Sequence, residues 1–283
     1  MSNERQSNPK WYLYYRHSLP VRIMHWIAVL SLPILLMSGL NIFNANPELH
    51  WGKSSYNGVP PLFELRSKVD SENEITEGVT RLFGYEFNTT GFLGASNDLS
   101  GELTSQGFPS WLTLPGYQWL AMARRWHLFF AWVFAINSFC FVCYSIYSRH
   151  LQKDLLPTKQ DWQSIGITIR DHILLRHPTG NSSKSYNVLQ KVAYIGVTFL
   201  LFPLVIINGL GMSPGIDALI PGWVDVFGGR QSMRTIHFII SCGLVAFTAV
   251  HLFQVIITGF LNNIRSMITG NYRIKTESEH ESE

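Results

Sequence analysis

The chain has 283 residues, of which 46% are hydrophobic and only 14% are charged, and its formal net charge is +3. Soluble domains usually carry about a quarter charged residues, so this balance indicates that lipid is the main solvent. The net charge is too small to indicate a nucleic-acid partner. The three cysteines fall in apolar segments and give no sign of a secreted disulfide framework.

Four long stretches lack Lys, Arg, Asp and Glu, and each can cross a bilayer, which needs about 20 apolar residues. The predicted spans are residues 21–43, 118–147, 192–214 and 234–262. The first span is too long for a signal peptide and lacks a small-residue cleavage site, so we expect it to be retained. The predicted fold class is all-α, with one four-helix transmembrane bundle as a single domain over residues 1–283.

Most of the 22 lysines and arginines lie in the N-terminal segment, the loop after the second span and the tail. The positive-inside rule therefore predicts an inner-membrane protein with both termini in the cytoplasm. The loop of residues 44–116 is then extracytoplasmic, and it is net acidic. Its composition predicts irregular structure with a short helix around residues 72–83, and partner docking and disorder are both open for it. No internal repeat is apparent.

Four histidines lie inside the predicted spans, where histidine is uncommon and usually functional. They are His25 in the first span, His127 in the second, and His237 and His251 in the fourth. His237 and His251 are 14 residues apart, close to four helical turns, so their rings share one face and lie roughly 21 Å apart along the axis. Two stacked sites are therefore predicted.

The predicted topology assigns each remaining histidine to one of these two levels. His25 lies at the cytoplasmic level and matches His251, whereas His127 enters from outside and matches His237. Two imidazoles that face each other supply both axial ligands of one haem iron, which leaves no open position for oxygen chemistry and suits one-electron transfer. The pattern predicts two haems.

The attachment of these haems is expected to be non-covalent, which makes them b-type. Cys140 and Cys143 form a C-x-x-C pair, but Tyr144 follows where a covalent haem motif requires histidine. Both cysteines are interpreted as small hydrophobic residues.

Three of the four histidines belong to an Arg-x-x-His pattern. The arginines of this pattern are Arg22, Arg124 and Arg234. An arginine three residues away shares the helical face of its histidine and lies nearer the aqueous surface, where it can bind an anionic haem propionate. Snorkelling of the arginines at helix ends explains each of them equally well. The other histidines are expected to be solvated: His17, His50, His150, His172, His177 and His280.

The segments at residues 22–26, 124–127 and 228–238, with the 14-residue spacing of His237 and His251, resemble prokaryotic membrane cytochrome b subunits. These subunits accompany nickel–iron hydrogenases, formate dehydrogenases and thiosulfate reductases, and the segments look most like the branch found with periplasmic molybdopterin oxidoreductases. The resemblance covers all four spans and implies the same pairing of ligands. It also implies electron exchange with membrane quinone, for which Gln254 and Asn262 are candidates that fit helix packing equally well.

Two hypotheses of different classes follow. The first is a non-catalytic electron-transfer subunit that passes electrons between the quinone pool and an extracytoplasmic redox subunit, of molybdopterin or hydrogenase type, through two bis-histidine haems. The second is a haem-free protein, such as a metal or proton transporter or a membrane anchor, that uses the same histidines as a relay or as metal ligands. No catalytic residue is assigned in either hypothesis.

Overall fold

The computed structural model describes residues 11–55, 58–70, 74–176 and 184–275. Within these ranges, four helices are long and apolar enough to cross a membrane, with mean hydropathies from 1.8 to 2.1. They are α1 (Leu19–Asn44), α2 (Leu120–Tyr147), the composite helix Val188–Gly211 and α8 (Arg230–Ile257). The four predicted spans are confirmed, although α8 ends five residues before the predicted boundary.

The third span is built from three consecutive helical pieces. They are α5 (Val188–Ile195), a wider π-helical stretch at Gly196–Leu201, and α6 (Phe202–Gly211). Shorter helices lie outside the spans: α3 (Lys159–Gln163), α4 (Ile165–Ile173), α7 (Pro214–Leu219) and α9 (Phe260–Thr269). A capping box between Thr158 and Asp161 begins α3, where each side chain satisfies a backbone N–H of the other residue.

The chain divides into two units. Unit 1 contains residues 1–26, 139–200 and 245–283, and unit 2 contains residues 27–138 and 201–244. In unit 2, α1 contacts α2 where His127 bonds to Leu35, and α6 contacts α8 where His237 bonds to Val205. Small buried polar side chains such as Ser38 let these helices approach closely, as membrane helix packing requires.

The fold is mostly helical, as predicted, but the segment between α1 and α2 contains strands that the all-α prediction did not include. The strands are β2 (Glu48–Leu49), β3 (Phe63–Val69), β4 (Ile75–Leu82), β5 (Tyr85–Asn88), β6 (Ala95–Asn97) and β7 (Leu103–Ser105). The first four form an antiparallel sheet in sequence order, and β6 pairs with β7. The segment is therefore folded, not irregular.

The helix predicted around residues 72–83 is also wrong, because β4 occupies its described part. β-Branched residues such as Ile75, Val79 and Thr80 favour a pleated strand over a helix. In the antiparallel register, Leu65 of β3 stands opposite Thr80, and both Leu65 and Val79 are buried. Hydrophobic and polar residues alternate along β3, a pattern that predicts a strand. The overall composition of the segment does not reveal this alternation.

The sheet of unit 2 is attached to the end of α1 and the beginning of α8. Its core contains Phe43, Leu49 and Leu65, and Phe238 of α8 packs against it. The side chain of Asn44 accepts a hydrogen bond from the backbone N–H of Phe108 at 2.7 Å and donates one to its carbonyl at 2.9 Å. These contacts fix the β segment to two of the spans.

Unit 1 contains a second unpredicted strand pair. Strand β1 (Trp11–Tyr15) pairs antiparallel with β8 (Asn271–Lys275), so that Tyr12 stands opposite Ile274. Asn262 of α9 joins this sheet, since its side chain donates to the Arg273 carbonyl and accepts from the Arg273 N–H. The pairing of β1 with β8 and the hydrogen bonds of the Asn262 side chain thus bring together segments near the two ends of the chain.

Two of the histidines predicted to be solvated are buried. His17 is only 9% exposed and His50 only 5%. The ring of His17 lies against that of Tyr186, and the His50 carbonyl accepts a hydrogen bond from Thr235 at 2.6 Å. The tertiary folding of segments that flank the spans buried both residues. His150 and His172 are partly exposed, whereas His177 and His280 lie outside the described residues.

Substitution of Gly94 tests the packing of the β segment. Gly94 and Gly101 both have positive φ, +77° and +92°, so alanine at either costs about 1–2 kcal/mol. A Cβ at Gly94 would also collide with the Arg66 carbonyl, whereas one at Gly101 meets no atom within 4 Å. We expect Gly94→Ala to lower the thermal unfolding temperature in detergent much more than Gly101→Ala. Equal losses would contradict the packing described for β3, β4 and β6.

The buried imidazole of His17 predicts a pH dependence of stability. Burial, followed by the charge of Arg16, lowers the pKa of His17 from 6.5 to about 3. As the pH falls from about 6.5 to about 3, His17 becomes protonated in the unfolded chain but stays neutral in the folded chain. The free energy of unfolding therefore falls over this range. His17→Gln removes this contribution. Thermal unfolding at several pH values should show a flatter profile for the variant, and parallel profiles would contradict the assignment.

Candidate functional site

The four histidines predicted as ligands lie in two pairs. His127 of α2 and His237 of α8, here called the outer pair, have ring centroids 6.3 Å apart with planes at 65°. His25 of α1 and His251 of α8, the inner pair, have centroids 6.4 Å apart with planes at 60°. The structure thus brings together the residues that the sequence pairs by depth, and α8 contributes one member to each pair.

The outer pair has a defined protonation pattern. Nδ1 of His127 lies 3.1 Å from the Leu35 carbonyl, and Nδ1 of His237 lies 2.9 Å from the Val205 carbonyl. A carbonyl oxygen accepts hydrogen bonds only, so each Nδ1 carries the proton and donates it. The Nε2 atom of each neutral ring then keeps its lone pair, which is the state in which imidazole binds a metal. The two carbonyls were not predicted from the sequence.

The inner pair is held by aromatic contacts. His251 stacks on Phe247 of its own helix, with centroids 5.7 Å apart and planes at 16°, and meets the edge of Tyr194 at 6.5 Å. His25 lies edge-on to Trp26, whose Nε1 donates to the Met267 carbonyl at 3.0 Å. The Nδ1 atom of His25 is buried and has no hydrogen-bond partner among the described residues. The two pairs therefore differ in how their rings are fixed.

The spacing of the rings within each pair fits a metal ion between them. A metal–imidazole bond is about 2 Å long, and the ring centre lies roughly 1 Å beyond the bonding nitrogen, so trans imidazoles place their centres about 6 Å apart. Both observed separations, 6.3 Å and 6.4 Å, agree with this value. In the described part of the chain no group of three or more His, Cys, Asp or Glu side chains is placed to hold a metal ion. Each pair suits an ion whose remaining ligands come from a macrocycle.

The arginines of the Arg-x-x-His pattern have different surroundings. Arg22 donates to the Ile268 carbonyl at the end of α9, and Arg234 donates to the Asn46 carbonyl and lies over the ring of Phe43. Arg124 is exposed. Two of the three arginines thus hold backbone carbonyls of neighbouring segments, and binding of propionate by any of them stays a prediction.

The remaining predicted site residues are placed as follows. Asn262 lies in α9 and is engaged with β8, outside the spanning part of α8. Gln254 lies on α8 one turn beyond His251, and its carbonyl accepts from the Thr258 hydroxyl. The three cysteines, Cys140, Cys143 and Cys242, are free thiols.

Comparison with known proteins agrees with this arrangement. The sequence profile of the prokaryotic cytochrome b561 family matches residues 16–270, a range that contains all four histidines. One relative is the putative protein-methionine-sulfoxide reductase subunit YedZ1 of Azospira oryzae, to which the chain is 24% identical over 245 residues. This match covers 86% of the chain and 91% of the relative. The chain, a membrane protein with four apolar spans, belongs to the prokaryotic cytochrome b561 family.

Proposed function

We propose that this chain is the electron-transfer subunit of a membrane oxidoreductase and that it holds two b-type haems between paired histidines. The observation that carries the proposal is the pair of ring separations, 6.3 Å for His127 with His237 and 6.4 Å for His25 with His251. When bound, each haem iron supplies reversible one-electron chemistry. With two imidazoles bound to each iron, no position on the iron would be left for a substrate.

The residues of the chain have three tasks in this function. The histidines ligate, and the carbonyls of Leu35 and Val205 keep the Nε2 atoms of the outer pair unprotonated and aimed at the metal. The apolar helices place the four rings within the candidate membrane spans. The chain itself therefore needs no general acid, base or nucleophile.

The rival hypothesis of a metal or proton transporter finds less support in the geometry. A bare transition-metal ion is usually held by three or four protein side chains, whereas each site here offers two imidazoles and, among the described residues, no third metal-binding side chain. A proton relay would require partners at both ring nitrogens, but the buried Nδ1 atom of His25 has none in the described residues. A reduced-minus-oxidised visible spectrum separates the two hypotheses.

The redox partners of the chain are also proposals. The relative from Azospira oryzae is named as a subunit of a protein-methionine-sulfoxide reductase, which supports an extracytoplasmic oxidoreductase, of molybdopterin or hydrogenase type, as one partner. Membrane quinone is the partner we propose for the inner pair. The folded β segment between α1 and α2 offers a rigid surface to the extracytoplasmic partner if both termini are cytoplasmic. The proposed location is the cytoplasmic membrane.

Single histidine substitutions test the pairing. Loss of one ligand leaves the iron with one axial imidazole, so that haem is either lost or becomes high-spin. We expect His25→Ala and His251→Ala to share one low-temperature visible spectrum, and His127→Ala and His237→Ala to share another. Each variant should retain the other haem in its low-spin form. Spectral grouping of His25→Ala with His237→Ala would contradict the pairing.

Cysteine labelling tests the topology. The three native cysteines are first replaced by alanine, and a single cysteine is then placed at Leu99, which is exposed in the turn between β6 and β7. We expect a membrane-impermeant maleimide to label Leu99→Cys from the extracytoplasmic side of intact cells. The matched variant Gln160→Cys, exposed on α3, should be labelled only after the cytoplasmic side is opened. The reverse pattern would invert the proposed orientation without affecting the ligand pairs.

A further inference from the structure

Both histidines of the outer pair rest on the same local structure, which occurs once in α1 and once in α6. In α1 the Leu35 carbonyl accepts the His127 proton, and Gly39 stands four residues later, against the ring. In α6 the Val205 carbonyl accepts the His237 proton, and Gly209 stands four residues later, against that ring. The third span has no histidine and yet supports one of the four rings.

The two sites lie in similar eight-residue segments. Residues 33–40 read Pro-Ile-Leu-Leu-Met-Ser-Gly-Leu, and residues 203–210 read Pro-Leu-Val-Ile-Ile-Asn-Gly-Leu. Proline, glycine and the final leucine are identical, and each remaining position holds a residue of similar character. The two segments lie far apart in the chain.

The polar residue before each glycine makes the same kind of hydrogen bond within its own helix. The Ser38 hydroxyl donates to the Ile34 carbonyl at 2.6 Å, and the Asn208 amide donates to the Leu204 carbonyl at 2.8 Å. Both side chains are fully buried and bond four residues back along their own helix. The Ser38 hydroxyl also lies 3.3 Å from the Leu35 carbonyl and 3.2 Å from Nδ1 of His127. The buried Oδ1 of Asn208 has no hydrogen-bond partner among the described residues. The two side chains therefore share the bond within their own helix, and Ser38 in addition contacts the histidine.

Glycine allows the close approach of the ring at these positions. A Cβ on Gly39 would lie 3.3 Å from Cε1 of His127, and a Cβ on Gly209 would lie 3.3 Å from Cε1 of His237. Within a helix, the carbonyl of one residue already accepts the N–H four residues later, but its second lone pair can accept another donor. Without a side chain at the later residue, the ring comes close enough to use that lone pair.

We propose that residues 33–40 and 203–210 are two copies of a cradle that positions the outer ligands, with Gly39 and Gly209 as its positioning residues. The inference rests on the proposed function, since it concerns how the outer haem iron is ligated. Donation of Nδ1–H to a carbonyl orients the ring and makes Nε2 a stronger donor to the metal. A stronger donor stabilises ferric iron and lowers the potential of the outer haem.

The described contacts of the inner pair lack this device. The buried Nδ1 of His25 has no hydrogen-bond partner among the described residues, and His251 is held by stacking on Phe247. The cradle therefore acts on one haem and leaves the other as an internal reference. A change in the cradle is predicted to separate the two haems spectroscopically, which a general loosening of the protein would not do.

Alanine and valine substitutions at the two glycines test the proposal. In Gly39→Ala and Gly209→Ala the ring must retreat by a few tenths of an ångström, which weakens its hydrogen bond. We expect the midpoint potential of the outer haem to rise and its ferric low-spin resonance to shift, with both properties of the inner haem unchanged. Alanine favours helices over glycine, so loss of folding is not expected. The larger valine should release the outer haem alone.

Gly243 of α8 provides the matched control, because a Cβ there meets no atom within 4 Å. Gly243→Ala should leave both potentials and both resonances at their wild-type values. The cradle is overturned if the glycine variants keep the wild-type properties of the outer haem, or if both haems shift equally. A wild-type protein that folds without haem would instead refute the proposed function, which distinguishes the two failures.

Discussion

The requirement that two imidazole rings from different helices face each other at a fixed separation governs the rest of this structure. In each pair the centroids are separated by 6.3 Å or 6.4 Å, and both rings come from apolar spans. If each pair ligates a haem iron as proposed, a change of 1 Å in the approach of either helix would alter metal–nitrogen bonds that tolerate only a few tenths of an ångström. The glycines beside the outer pair allow the close approach of its rings.

The two pairs meet the requirement by different means. Backbone carbonyls of α1 and α6 hold the outer pair, so ring orientation is coupled to the course of two neighbouring helices. Aromatic packing holds the inner pair, in which His251 stacks on Phe247. Because hydrogen bonding to a ligand and burial both tune haem potential, identical ligand sets can give two unequal potentials. Such a difference would give electrons a preferred direction through the chain.

The sequence was sufficient to predict the four apolar helices and to pair the four histidines by depth. Long uncharged stretches and the spacing of His237 and His251 depend on local periodicity, which a single sequence records directly. Pairing by depth required only the order of the helices. The structure places the same residues together, and the family match covers the range that contains them.

Features that depend on tertiary contacts were not predictable in this way. The strands between α1 and α2 were missed because Gly, Pro, Ser and Asn dominated the composition, and burial of His17 and His50 depends on segments distant in sequence. The carbonyls of Leu35 and Val205 carry no side-chain signal at all. The similar Ser/Asn-Gly-Leu endings of residues 33–40 and 203–210 are the sequence feature near these carbonyls. Their relation to the histidines became clear only from the positions of the rings.

The central claim is that the four histidines form two complete axial ligand sets. The most direct measurement is the ratio of haem to polypeptide in the purified chain, determined by pyridine haemochrome absorbance with quantitative amino-acid analysis, alongside electron paramagnetic resonance of the oxidised protein. The account predicts two b-type haems per chain, both low-spin in the ferric state. A folded preparation with one haem, with none, or with a high-spin haem in the wild-type chain would contradict it.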